Sequence, residues 1–386
     1  MPYQLLQKAK IIAEPGCVTK IADVVKEAGF SNPLLIYDQG VKMCGIVDQV
    51  INSLNAAGLK FAEFGDVLPD PPSTTVHAAY DVCQNNKCDC LVAIGGGSSI
   101  DTGKGVNVLR FNPGNILDYA KPGAEMKQCY GLIAIPTTAG TGAELSNGII
   151  ITAAVAHLKM PIVGDKAMAE YVLIDANLTV GMPAGLTLAT GLDVFSHAWE
   201  SYTTIFNGPM TDIVAEKILE DVVEFLPRAV ANGKDIEARQ RMLCLASMGG
   251  WMLAHACAHV GHSLAHIIGA KFMIPHGAAC AYAAPAALRF VAEAEPAKIK
   301  RVGAILGVKF DGSESPAQIG EMTAAAYIKF RDSMNLKPFS AYNVSKEAAV
   351  ALAHDVATEV FAGFTPRKVT DEDAAKLLEQ LFVDNQ

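Results

Sequence analysis

Little of this chain is charged. Asp, Glu, Lys and Arg make up 18% of its 386 residues against 51% hydrophobic, so it can bury a large core. It has no run of Lys or Arg, and its formal net charge is −9, which argues against nucleic acid or an anionic membrane as partner. No uncharged apolar run reaches ~18 residues, the length a membrane-crossing helix needs, so no membrane is expected. The N-terminus, MPYQLLQKAK, lacks a long apolar stretch after a basic start, so no signal peptide is expected either. Nine cysteines form no CxxC pair; Cys88 and Cys90 make only a CxC. Several thiols sit in apolar stretches (Cys90, Cys244, Cys257, Cys280), which suits buried free cysteines in a reducing cytoplasm. There is no repeat of roughly 20–50 residues and no low-complexity linker.

The first half alternates short apolar runs with helical patterns, as a mostly parallel sheet requires. PLLIYD (33–38) and FAEFGDV (61–67) read as strands. Between them Val41 to Leu59 reads as one helix, with Val47, Val50, Ile51 and Leu54 on a single stripe. Ser73 or Thr74 is expected to cap the next helix, which runs to about Asn86. CDCLVAIGGGSSIDTGKG (88–105) is an apolar strand, three glycines and a helix start; YGLIAIPTTAGTGAE (130–144) is a strand running into a Thr/Gly-rich turn. Glycines let a phosphate approach the backbone, and the helix N-terminus adds partial positive charge. Both loops follow strands, where open α/β sheets bind their ligands. Asp38 also ends a strand; there it either caps the following helix or accepts adenosine ribose hydroxyls, which would favour NAD over NADP.

From about Pro183 alanine-rich helical patterns dominate, as in 211–230, 237–256 and the amphipathic tail DEDAAKLLEQLFVDN. Two domains are expected: an α/β dinucleotide-binding domain over 1–181 and an all-helical, metal-binding domain over 182–386.

Five of the nine histidines fall within 22 residues, at 255, 259, 262, 266 and 276. His262 and His266 are four apart, as are Asp193 and His197 in TGLDVFSHAWESY, so each pair shares a helix face. One carboxylate and three imidazoles would make a mixed oxygen–nitrogen metal site with room for a substrate oxygen. Such a set suits Fe(II) and also Zn(II). Taken as one helix, His255, His259, His262 and His266 fall on one stripe leading from the metal to the substrate pocket.

GGGSSID, PTTAGTGAE, TGLDVFSHAWESY and GHSLAHIIGA with the later PHG together resemble the iron-dependent (group III) alcohol dehydrogenases, in the same order and over most of the chain. The resemblance implies a Rossmann-like N-terminal domain and an all-α C-terminal domain, the fold shared with dehydroquinate synthase, with the active site in the cleft between. It implies Asp193, His197, His262 and His276 as metal ligands and His266 as a non-ligand histidine beside the nicotinamide. Asp38, Gly96, Gly97, Ser98, Thr137, Thr138 and Lys159 would line the NAD site. Departures include Asp175-Ala176-Asn177-Leu178 for the family's DPxL and LAHACAHVG (253–261) before His262.

The chemistry expected is hydride transfer between NAD(H) and a small primary alcohol or aldehyde, with the metal as Lewis acid. His266 would either relay the proton or only orient a ligand. Substrates of two to four carbons are expected. Candidates include diols, hydroxyaldehydes and acid-tailed aldehydes whose far end His259 or His255 could hydrogen-bond. A homo-oligomer, a dimer or larger, is expected. Two other readings are a dehydroquinate synthase-type cyclase or lyase, disfavoured by the few basic residues near the metal motifs, and a metal- or nucleotide-sensing protein, disfavoured by the lack of any DNA-binding or partner motif.

Overall fold

The structure is a computed structural model that describes residues 4–121, 123–154 and 158–386. The chain divides into two compact units, Leu6–Gly181 and Met182–Gln386, the second also including residues 4–5.

The first unit is built on strands β1 (Lys10–Ala13), β2 (Pro33–Tyr37), β3 (Ala62–Phe64), β4 (Cys90–Gly95), β5 (Leu132–Pro136) and β8 (Tyr171–Ile174), with β6 (Gly148–Ala153) and β7 (Leu158–Val163) between the last two. Six strands form one parallel sheet in the order β1-β8-β5-β4-β2-β3, and β6 and β7 form an antiparallel hairpin. β2, β4 and β5 are buried along their whole length. A strand covered on both faces must read as a continuous apolar run, which is how LLIY, CLVAI and LIAI read. Helices α1 (Ile21–Glu27), α2 (Gln39–Met43), α3 (Ile46–Ala56), α4 (Ser73–Asn85) and α5 (Gly97–Phe111) complete the unit. The helix expected over 41–59 is two helices, because Gly45 at φ +72 breaks it. Its stripe survives on α3, where Val47, Val50 and Leu54 are fully buried. No side chain caps α4: Pro72 holds the N-cap position and Ser73 is its first residue.

Chain order departs from sheet order at β2. From β2 the chain goes outward to β3, then returns across it to β4 and on to β5. The switch point therefore lies at the carboxyl ends of β2 and β4.

The second unit is helical: α6 (Ala184–Thr203), α7 (Pro209–Ala231), α8 (Ile236–Ala256), α9 (Val260–Phe272), α10 (His276–Ala292), α11 (Pro296–Ile305), α12 (Pro316–Asp332), α13 (Lys346–Val350), α14 (Ala353–Thr358) and α15 (Asp371–Asp384). α10 is its centre and packs on α6, α9, α12 and α15. Its run of alanines is buried from Gly277 to Leu288, since small side chains let several helices approach it together. Among the described residues no single helix is long and apolar enough to cross a membrane; α8 and α9 pass only as a pair, and they meet at 111°.

That bend overturns the continuous histidine stripe. Cys257 adopts φ +60, ψ −175, a conformation a cysteine rarely holds, and ends α8. Hydroxyls from the end of α6 hold the turn: Ser201 Oγ donates to the Cys257 carbonyl at 2.7 Å and Thr204 Oγ1 to that of Ala256 at 2.6 Å. His255 thus stays on α8 and His259 becomes the N-cap of α9.

Candidate active site

α6 carries the first half of the metal cluster. Asp193 and His197 stand one turn apart on it, buried to 2% exposure each. Burying them is unfavourable, but Leu192, Val194, Phe195 and Trp199 on the same helix are fully buried. Each apolar side chain so buried contributes roughly 1.5–3 kcal/mol, which holds the polar residues in the interior.

α9 and α10 supply the other half. His262 projects from the first turn of α9, and His276 opens α10. Gly277 lets α10 start directly against α6, because a Cβ there would collide with the Ala189 carbonyl. The outcome is convergence on one atom. The Nε2 atoms of His197, His276 and His262 lie 3.4, 3.4 and 3.8 Å from Asp193 Oδ1. That oxygen is buried and has no hydrogen-bond partner among the described residues, nor has His197 Nδ1. A buried carboxylate oxygen without a donor is unstable by itself. A cation among the four atoms would satisfy it, so the donor set fits a divalent metal. Burial works to raise the Asp193 carboxyl, yet the imidazoles of His197, His276 and His262 hold it below its ordinary value.

Glu200, one turn beyond His197 and buried, holds His262. Its Oε1 lies 2.7 Å from His262 Nδ1, and its Oε2 accepts from the backbone N–H of His259 and of His262 at 2.9 and 3.0 Å. Burial opposes charge on His262, but Glu200 prevails and holds its pKa well above the ordinary value. Cys280, one turn into α10 from His276, brings a thiol to the cluster, 3.7 Å from His276 Nε2 and 3.9 Å from His262 Nε2.

His266 stacks on His276 with ring centroids 5.4 Å apart and is a third exposed. Its Nδ1 lies 3.1 Å from Glu359 Oε1, and Ser263 Oγ donates to the other Glu359 oxygen at 2.6 Å. His259 is fully buried, its Nε2 2.9 Å from Thr203 Oγ1 and its ring edge-on to Trp199. It is an internal group held by Thr203 and Glu200. His255 turns its Nδ1 to the Trp251 carbonyl at 2.7 Å.

In the α/β unit the two loops meet. Gly95 bends at φ +148, where an added Cβ would run into Ser99, so glycine is required. α5 opens at Gly97 with Gly96 as its N-cap and no side chain capping it. A Cβ on Gly96 or Gly97 would lie 3.1 Å from Thr138 Oγ1 or Thr141 Oγ1, so both threonines stand directly over the glycines. Ser98 follows on the first turn, and the Thr137 N–H donates to the Gly95 carbonyl at 3.0 Å. Asp38 caps α2 by accepting from the Val41 N–H at 3.1 Å, while its Oδ2 lies 3.4 Å from Ser99 Oγ. Lys159 is exposed on β7 and paired with Asp70 at 2.7 Å.

A parallel sheet with phosphate-type loops at its switch point, and a buried carboxylate ringed by imidazoles in a helical unit, define a metal-assisted, dinucleotide-dependent oxidoreductase. The sequence matches the iron-containing alcohol dehydrogenase family over residues 8–176 and that family's C-terminal domain over residues 187–382. The chain belongs to this family. It is similar to the NAD-dependent methanol dehydrogenase of Bacillus methanolicus, 32% identical over 94% of this chain and 96% of the relative. Lactaldehyde reductase of Escherichia coli K12 is also 32% identical, over 94% of this chain and 95% of its own. A crystal structure of 1,3-propanediol oxidoreductase superposes with a TM-score of 0.94 at 27% identity, covering 99% of this chain and all of that one.

Proposed function

We propose that the chain interconverts a small primary alcohol and its aldehyde with NAD(H) and a divalent metal, Fe(II) or Zn(II), held by Asp193, His197, His262 and His276. Asp193 Oδ1 carries this reading: three Nε2 atoms face it and no donor among the described residues satisfies it. Bound there, the metal supplies Lewis-acid polarisation of the substrate oxygen. Glu359 fixes His266 Nδ1 and the ring is a third exposed, so its Nε2 can pass the alcohol proton to solvent. Gly96, Gly97, Ser98, Thr137 and Thr138 receive the pyrophosphate at the uncapped start of α5. Lys159, exposed on β7, completes the proposed cofactor site.

Asp38 Oδ2 receives the ribose hydroxyls and disfavours a 2′-phosphate. Methanol, lactaldehyde and propanediol in the relatives' names support a short substrate. The nine cysteines are all free, which supports a reducing cytoplasm. Ile205, Phe206, Met210 and Ile213 are each 45% exposed or more on the helical unit and support a homo-oligomer, a dimer or larger.

The test is NADH oxidation by the metal-restored protein with acetaldehyde, propanal, lactaldehyde and succinic semialdehyde. Turnover of the short uncharged aldehydes is expected. No turnover with any aldehyde, in the presence of bound metal, refutes the reading.

A further inference from the structure

We propose that Cys280 is a sulfur donor to the metal, so that this chain binds its ion with oxygen, nitrogen and sulfur together. The inference rests on the metal reading above and names a ligand beyond it. The ligand atoms of Asp193, His262, His276 and Cys280 all lie within 4.8 Å of one another. His197 faces the same carboxylate oxygen but is not one of these four.

The edges fit coordination. With metal–nitrogen and metal–oxygen bonds near 2.0–2.1 Å and a metal–sulfur bond near 2.3 Å, a tetrahedron has edges of roughly 3.4–3.6 Å. Here the oxygen–nitrogen edges are 3.4 and 3.8 Å, and the sulfur–nitrogen edges are 3.7 and 3.9 Å. The remaining two edges lie within 4.8 Å, so contraction of the cluster would bring the four donors onto one ion. The helix aims the thiol, since His276 and Cys280 are four apart on α10 and share a face.

Cys280 is 2% exposed, and the unpartnered Asp193 Oδ1 is buried in the same cluster. A thiol this buried often serves only as a small apolar filler. Here the thiol is turned to polar groups, two imidazole nitrogens and the Asp193 carboxylate, in place of an apolar surround. On coordination the S–H bond breaks, its electron pair goes to the metal and its proton leaves to solvent. With His197 also bound the ion is five-coordinate, and without it four-coordinate. The soft sulfur favours zinc and cobalt over Fe(II).

The test is the electronic spectrum of the Co(II)-loaded protein, with metal content measured on the same samples. The wild type is expected to show a near-ultraviolet sulfur-to-cobalt charge-transfer band. Cys280→Ser and Cys280→Ala are expected to lose it while still binding cobalt through the remaining donors. Cobalt bound without that band, or a band unchanged in both variants, overturns the inference and leaves the metal reading standing. A wild type that binds no cobalt, iron or zinc overturns both. X-ray absorption at the zinc edge of the wild type needs no variant. A sulfur scatterer at about 2.3 Å is expected, and a shell of nitrogen and oxygen alone at about 2.0–2.1 Å refutes it.

Discussion

Glu200 reaches His262 through Nδ1 at 2.7 Å, and that contact decides which ring nitrogen faces Asp193. A carboxylate can only accept, so Nδ1 carries the proton and Nε2 is the nitrogen left for a metal. Glu200→Gln removes the charge and sets an amide N–H₂ against either the two backbone donors of His259 and His262, which share one oxygen, or the Nδ1–H of His262. Metal affinity is expected to fall roughly 10–100-fold. The fold should lose roughly 1–3 kcal/mol through the orphaned donor. Chelator competition and denaturant unfolding read the two effects. Unchanged metal affinity would show that Glu200 does not set the imidazole.

Asp38 serves two ends, since one oxygen caps α2 and the other lies by Ser99. The wild type is expected to have a higher kcat/KM with NADH than with NADPH, and Asp38→Gly to narrow the gap. Asp38→Asn can keep the cap while losing the charge, so it should narrow the gap at little cost in stability; without a cap Asp38→Gly loses a few tenths of a kcal/mol. A wild type that prefers NADPH would refute the assignment.

His259 should make stability depend on pH. Burial lowers its pKa to about 4, against the pull of Glu200 and with a further push from His262; Trp199 and Thr203 add no charge. The unfolded imidazole titrates near ~6.5. As pH falls from there toward 4, the unfolded chain takes a proton that the folded chain refuses, so stability is lost across that window. The loss is on the order of 2–3 kcal/mol. Urea unfolding of metal-free protein at several pH values should show a steeper fall in the wild type than in His259→Asn. Parallel curves would mean that His259 does not titrate on unfolding.

Much of this could be read in the chain. The apolar runs at 33–37 and 90–95 are strands, and both i,i+4 pairs lie on helices as their spacing required. The failures have local causes. The stripe through His255 and His259 breaks at Cys257, in a backbone conformation no sequence rule assigns to cysteine, and the hydroxyls holding it come from a distant helix. Glu200 and Cys280 did leave a signal: Glu200 is seven residues after Asp193 and Cys280 four after His276, each on its partner's helix face. Glu359 left none, since it reaches His266 from a turn 93 residues along the chain.

Asp193→Asn tests the central claim most directly, read as divalent metal per chain in the purified variant beside the wild type. The substitution keeps the shape of the side chain and removes the charge that gathers three imidazoles. The wild type is expected to hold a single ion per chain. The variant should hold essentially none and lose NADH-dependent aldehyde reduction. A variant that keeps both its metal and its turnover would contradict the account.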